Sequence, residues 1–156
     1  MELEDYFKNL RAKIGHDEIL MPGVNGVLYD ETGDKILLQK RADTNMWGLP
    51  GGMMNLGETA PQSLVREFLE ETGLEVRVTK LLAVHSDFHI TWASGDQAQP
   101  IGITFLVEKV GGKLDIHDEE TLDLAYVPLH PVPKMFNSQH QDTIEQLAAG
   151  KESWFF

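Results

Sequence analysis

The chain has 156 residues, 42% of them hydrophobic, and no cysteine, which is enough for one domain with a sizeable core and excludes disulfides, thiolate zinc sites and cysteine nucleophiles. A formal net charge of -12 argues against a nucleic acid polymer, which calls for a basic face, although a bound cation can reverse the local sign at a nucleotide site. No apolar run is long enough to cross a bilayer and the charged N-terminus has no apolar leader core, so the expectation is a cytoplasmic protein without a membrane partner.

Leu3, Tyr6, Phe7 and Leu10 recur at helical spacing and predict a short amphipathic helix over 3–13. Two apolar runs, 24–29 and 35–39, flank Asp30-Glu31-Thr32-Gly33-Asp34, a turn composition that predicts a β-hairpin. A glycine-rich loop around Gly51 and Gly52 follows. It leads into a helix with Thr59 as N-cap, Pro61 in the first turn, where its missing N–H costs nothing, and Gly73 just past the end. Strands are expected over 76–85, 88–92 and 101–110, with Ser94-Gly95-Asp96 and Gly111-Gly112 as turns and 124–127 as a last strand. Residues 139–148 predict a closing helix that buries Ile144 and Leu147. Without repeats, low-complexity stretches or a linker, these elements form one domain over 1–156, an α/β (α+β) sandwich.

The middle helix carries the chemistry. At about 100° per residue, with Glu67 at zero, Glu70 and Glu71 fall about 60° to one side and about 40° to the other. The three carboxylates share one face. Leu64, Val65, Phe68, Leu69 and Thr72 fall on a broad arc roughly opposite, so carboxylate and core faces are expected to be cleanly separated. Like charges at these spacings repel by a few tenths of a kcal/mol per pair, and Arg66, four residues before Glu70, offsets only part of that. A hard divalent cation such as Mg²⁺ or Mn²⁺ suits the remainder, because it takes oxygen ligands and leaves positions for water and phosphate. A solvated acidic helix face is the competing reading for Glu70-Glu71 alone.

The whole segment reads Gly52, five residues, Glu58, seven residues, then Arg66-Glu67-Phe68-Leu69-Glu70-Glu71-Thr72-Gly73-Leu74. It resembles the signature of the Nudix hydrolases, MutT-like proteins whose motif has Gly, Glu, Arg-Glu, Glu-Glu and a terminal Gly at these spacings. Phe68 stands where the family usually has a branched aliphatic residue, a core-facing difference. Upstream, Ile36-Leu37-Leu38-Gln39-Lys40-Arg41 and Trp47-Gly48-Leu49-Pro50-Gly51-Gly52 look like the strand and loop that lead into the motif in bacterial members.

The resemblance implies an α/β/α sandwich with a central mixed β-sheet, and metal-dependent cleavage of a pyrophosphate linkage in a nucleoside diphosphate derivative or nucleoside triphosphate. It implies Glu67, Glu70 and Glu71 as metal ligands, with the carbonyl of Gly51 as a possible backbone ligand and a further carboxylate from a loop after the motif. Within the cluster Asp115, Asp118, Glu119, Glu120 and Asp123 the choice is Glu120, with Glu119 the competitor; the cluster also reads as an ordinary acidic turn. Glu67 is favoured as the base, with Glu70 or the Glu120 region as alternatives. Arg66 is read as orienting the glutamates, and Glu58 as stabilising the loop near the positive end of the helix dipole. Gly51 and Gly52 permit close approach of backbone to phosphate, or simply a tight turn.

Other residues carry competing roles. Arg41 and Lys40 precede the loop and suit terminal phosphates or surface solubility. Trp47 and Trp92 can stack on a base or pack in the core. His85 and His89 are too far apart on a strand, about 13 Å, to share a metal. Trp154-Phe155-Phe156 either folds back on the domain or packs against a second copy in a homodimer. The family's ADP-ribose branch tends to carry a proline, and its dinucleoside-polyphosphate branch a tyrosine, where His89, Ile90, Thr91 and Trp92 stand here, so neither marker is present. Non-enzymatic readings are a nucleotide sensor and a structural metal protein. The intact glutamate set disfavours the sensor, and turnover separates an enzyme from the structural protein.

Overall fold

The motif helix runs from Ala60 to Thr72 between the two caps expected for it. Thr59 Oγ1 accepts from the Gln62 amide at 3.3 Å and the Gln62 side chain accepts from the Thr59 amide at 2.9 Å, a capping box that satisfies two donors left open at the helix start. Gly73 closes the helix at φ 76°, a left-handed conformation that glycine adopts without a Cβ penalty.

The computed structural model describes residues 3–116 and 118–156. In chain order its elements are α1 (Leu3–Ile14), β1 (Ile19–Val27), β2 (Lys35–Arg41), β3 (Trp47–Gly48), β4 (Gly51–Met53), α2 (Ala60–Thr72), β5 (Leu74–His85), β6 (Ile90–Thr91), β7 (Gln97–Gly112), β8 (Thr121–Pro128), α3 (Ser138–Ala148) and β9 (Trp154–Phe155). A mixed sheet runs β4-β1-β7-β5-β9 with β6 on β7, and β1 lies parallel to β7 along their shared length. A second, antiparallel sheet runs β3-β2-β8. Residues of β2 alternate between two cores: Ile36 and Leu38 join the cluster under α3, which contains Ile144 and Leu147, while Leu37 joins the cluster under α2, which contains Leu64 and Phe68. The sheets thus lie between helices, as an α/β/α sandwich requires. At Gly26 a Cβ would come within 2.6 Å of Phe68 Cε2, so a bare backbone on β1 is what lets that ring pack against the strand.

Several expectations change. The turn at 30–34 forms, with Asp30 Oδ1 accepting from Thr32 Oγ1 at 2.7 Å and from the Gly33 amide at 3.0 Å. Its arms stay together through Leu28, Tyr29 and Asp30 against Lys35, Ile36 and Leu37 before parting into different sheets, because β1 finds its partners in β7 and β4. The strand expected over 88–92 shrinks to Ile90–Thr91. Gly111 and Gly112 do not turn the chain; they pair with Glu75 and Leu74, and a Cβ on Gly112 would meet the Gly73 carbonyl at 2.3 Å. The segment 124–127 lies within β8 but is not the last strand, because Trp154 and Phe155 pair in parallel with Ala83 and Val84. The C-terminus therefore folds back through buried Trp154 and leaves Phe155 exposed.

The face of α2 is also rotated. Val65 and Leu69, expected in the core, are 37% and 47% exposed, whereas Glu71 is only 5% exposed. On the helical wheel Glu71 falls next to Leu64, about 20° away, so a helix that seats Leu64 and Phe68 on the sheet must carry Glu71 inward with them. Core and carboxylate faces overlap.

Candidate active site

Arg66 organises the carboxylates on α2. Its Nε donates to Glu58 Oε1 at 2.5 Å and Nη2 to Glu58 Oε2 at 3.0 Å, a two-pronged pair across the loop-to-helix junction. Nη1 reaches Glu67 at 2.9 Å and Glu70 at 3.2 Å, and Nη2 also meets the Met53 carbonyl at 3.1 Å. The contact with Arg66 holds Glu58 down to about 2, helped by the Asn55 amide, and the same contact raises the arginine further above its usual range. With its donors committed inside the motif, Arg66 orients carboxylates, and Glu58 ties the loop to the helix.

Glu67 is half-buried, and burial pushes its carboxyl up against the opposing pull of Arg66; the charges of Glu70 and Glu120 push the same way as burial. Glu71 is pushed up to about 8, first by burial, with Glu67 and Asp118 adding repulsion and the Gly51 amide, which donates to Oε2 at 2.9 Å, opposing. Glu70 stands exposed at the edge. A Cβ on Gly52 would fall 2.5 Å from Glu67 Oε1, so the loop leaves the space that this carboxylate fills. At Gly51 a Cβ would meet the Val24 carbonyl at 2.1 Å.

Two adjoining clefts open here. One, of about 230 Å³, is lined by Gln39, Arg41, Ala42, Asp43, Glu71 and Glu120. The other, of about 130 Å³, includes Asn25, Leu49, Gly51, Gly52, Gln139 and His140, and again Arg41. Arg41 is thus common to both walls. Asp43 grips its guanidinium at 3.0 and 2.8 Å, and the group lies 4.2 Å over the Phe136 ring. A larger hollow of about 830 Å³, between Tyr29, Thr79, Glu108 and Tyr126, shares no residue with the motif.

The structure gathers Gly51, Gly52, Arg41, Arg66, Glu67, Glu70, Glu71 and Glu120 into this region. Within the acidic cluster, the charge of Glu120 reaches Glu67 and that of Asp118 reaches Glu71, whereas exposed Glu119 lines neither cleft. Trp47 is not brought to either cleft. It packs against the core under α3 while pairing with Lys40. His85 bonds Asp142 at 2.7 Å and His89 bonds Glu18 at 2.5 Å, so the two histidines serve separate contacts. Residues the sequence did not single out are Asn25, Gln39, Gln139, His140 and Phe136, whereas Asp118, named within the acidic cluster, buries an Oδ1 that has no hydrogen-bond partner among the described residues. Asn25, Gln39 and the group 136–140 come from three separate segments, and no local spacing marks them. The Asn137 N-cap of α3 was the one readable clue near His140.

Among the described residues no three His, Asp or Glu side chains already stand close enough together to hold an ion. The donors nevertheless suit a hard divalent cation: they are carboxylate oxygens on one helix, one of them buried beside like charge, next to a loop with no side chains in the way.

The model of the NUDIX domain matches residues 19–147. This chain belongs to the NUDIX domain family. It is 35% identical over 115 residues to an ADP-ribose pyrophosphatase of Methanocaldococcus jannaschii, covering 72% of this chain and 64% of that protein. It is 45% identical over 59 residues to a putative 8-oxo-dGTP diphosphatase of Bacillus subtilis, covering 38% and 40%. The chain thus spans less than two thirds of the length of these relatives. Among solved structures, a NUDIX hydrolase from Nitrosomonas europaea superposes with a TM-score of 0.69 at 24% identity, covering 86% of this chain and 93% of that one. An ADP-ribose pyrophosphatase from Streptococcus suis superposes with a TM-score of 0.66 at 23% identity, covering 87% and 98%. At these identities the superpositions establish the fold.

Proposed function

We propose that this protein is a Mg²⁺- or Mn²⁺-dependent pyrophosphohydrolase that cleaves the diphosphate of a nucleoside diphosphate derivative or a nucleoside triphosphate. One observation carries the reading. A buried carboxylate, Glu71, is held by the loop amide of Gly51 and crowded by the charges of Glu67 and Asp118, an arrangement that disfavours its ionised form unless a cation is near. The names of the relatives, ADP-ribose pyrophosphatase and 8-oxo-dGTP diphosphatase, both describe attack on a diphosphate attached to a nucleoside and support the same class.

Glu67, Glu70 and Glu71 would hold the cation, with the Gly51 carbonyl and Glu120 completing its shell. When bound, it neutralises charge on the phosphoryl oxygens and lowers the pKa of a coordinated water. Glu67 would accept the proton of the attacking water through a carboxylate oxygen left free by the cation. Arg66 keeps Glu67 and Glu70 in place through the fork that also holds Glu58. Arg41, fixed by Asp43 and Phe136 between the two clefts, offers charge to the phosphate that lies furthest from the attacked bond. The bare backbone at Gly52 admits the diphosphate beside Glu67.

Release of phosphate, pyrophosphate or nucleoside monophosphate from a panel of nucleotides, nucleotide sugars and dinucleotides tests the reading. Turnover that requires Mg²⁺ or Mn²⁺ is expected from at least one compound. Folded protein that turns over none of them overturns it.

A further inference from the structure

We propose that Gln39 and Thr121 are positioning residues of the cation site: a bulge in β8 turns Thr121 inward onto Gln39, and the bond between them sets Glu120 in the cleft that Glu71 lines. This role rests on the cation ligands proposed above. β2 and β8 pair regularly from Lys35 with Pro128 to Lys40 with Asp123, after which Arg41 meets Thr121 rather than Leu122. Facing residues of an antiparallel pair project to one side of the sheet, and successive residues alternate. Leu37 and its partner Tyr126 lie on the side of α2, and so does Leu124, the partner of Gln39. An unbroken ladder would bring Leu122 to that side, beside Arg41, and turn Thr121 to the other. The extra residue reverses the two: Leu122 is left 51% exposed and Thr121 is buried. A hydroxyl thus replaces an apolar side chain beside the carboxylates.

The hydroxyl meets a buried amide. Gln39 is 2% exposed, and its Nε2 donates to Thr121 Oγ1 at 2.7 Å. Burial raises the Glu71 carboxyl, and the side-chain amide of Gln39 pulls it the other way. Because Gln39 Oε1 has no partner among the described residues, both contacts fall to Nε2, which carries two hydrogens. One side chain therefore spans the inner carboxylate of α2 and the residue that follows Glu120. The Ala42 amide adds a second tie, donating to the Glu120 carbonyl at 2.9 Å. Glu120 itself is exposed, and like charge on Glu67 pushes it toward solvent. Anchors on its neighbours resist that push and keep the carboxylate where a cation joins it to Glu67 and Glu71.

Thr121→Val keeps the shape and removes the hydroxyl, while Thr121→Ser keeps the hydroxyl and is the rescue variant. Gln39→Leu combined with Thr121→Val removes both polar partners, leaves no buried amide unpaired, and serves where the single valine variant does not fold. The readout is the Mn²⁺ dissociation constant, taken from the electron paramagnetic resonance signal of free Mn²⁺, in protein whose circular dichroism is unchanged. Thr121→Val and the double variant should weaken Mn²⁺ binding by roughly 10-fold, and Thr121→Ser should stay near the wild-type value. In a Glu120→Gln background most of the valine effect should disappear, because it passes through Glu120. In the wild-type protein the Gln39 side-chain amide resonances should shift as Mg²⁺ is added. Unchanged Mn²⁺ affinity in a folded valine variant overturns the assignment. So does the full loss persisting in the Glu120→Gln background, a loss in Thr121→Ser equal to that in Thr121→Val, or an unmoved Gln39 amide. A wild-type protein that binds no Mn²⁺ removes the cation reading and this one with it, whereas Mn²⁺ binding that the valine variants leave untouched removes this one alone.

Discussion

The amide of Gly51 donates to Glu71 Oε2 at 2.9 Å, joining the glycine loop to a helix carboxylate that is itself buried among like charges. Loop geometry and carboxylate chemistry are therefore one unit, and perturbing either should disturb the other.

The first consequence concerns pH. The carboxyl of Glu71 is raised to about 8 in the folded protein from its ordinary value near 4.5, so the folded state holds the proton more tightly than the unfolded chain. That contribution to stability is fully present below about pH 4.5 and is lost as pH rises toward about 8. Without divalent cation, the melting temperature should decline across this window, and Glu71→Gln should flatten the decline. Mg²⁺ should restore more stability at the alkaline end than at the acid end. A decline unchanged by Glu71→Gln would contradict the assignment.

Gly52→Ala should separate folding from function. The added Cβ would meet the Glu67 carboxylate at 2.5 to 2.7 Å, and the end of a glutamate can swing aside. Stability should change by less than about 1 kcal/mol, while affinity for Mn²⁺, followed by calorimetry, should fall roughly 10- to 100-fold. Gly51→Ala collides instead with the Val24 backbone and should destabilise the fold outright.

Arg66→Ala removes the partner of Glu58, Glu67 and Glu70 at once. Because Glu58 and Glu67 are half-buried there, we expect a loss of about 1–3 kcal/mol in urea denaturation at unchanged slope. Arg66→Lys keeps the charge without the fork and should fall between. A neutral Arg66→Ala would contradict the role given to this side chain.

What could be read along the chain was local. Thr59, Pro61 and Gly73 delimit a helix through contacts within a few residues, and the motif residues inherit their relative directions from the helical period. What could not be read depends on distant partners. The arms of the 30–34 turn part because β7, some seventy residues on, claims β1. Glu71 is buried because the seat of Leu64 and Phe68 on β1 sets the roll of α2, and the period alone does not fix that roll. Trp47 offered both base stacking and core packing from the sequence, and only its distant partners under α3 place it against the core. His140 and Phe136 meet Arg41 and Leu49 across almost a hundred residues, a separation that leaves no local spacing to detect.

The central claim is that the α2 carboxylates carry hydrolysis of a diphosphate. Initial rates of the wild-type protein and of Glu70→Gln, measured side by side on its best substrate in Mg²⁺, test it most directly. Glu70 is exposed, so the substitution should leave the fold intact, as judged by circular dichroism, and lower turnover on the order of 10²- to 10⁴-fold. A folded Glu70→Gln protein with near wild-type turnover would contradict the account.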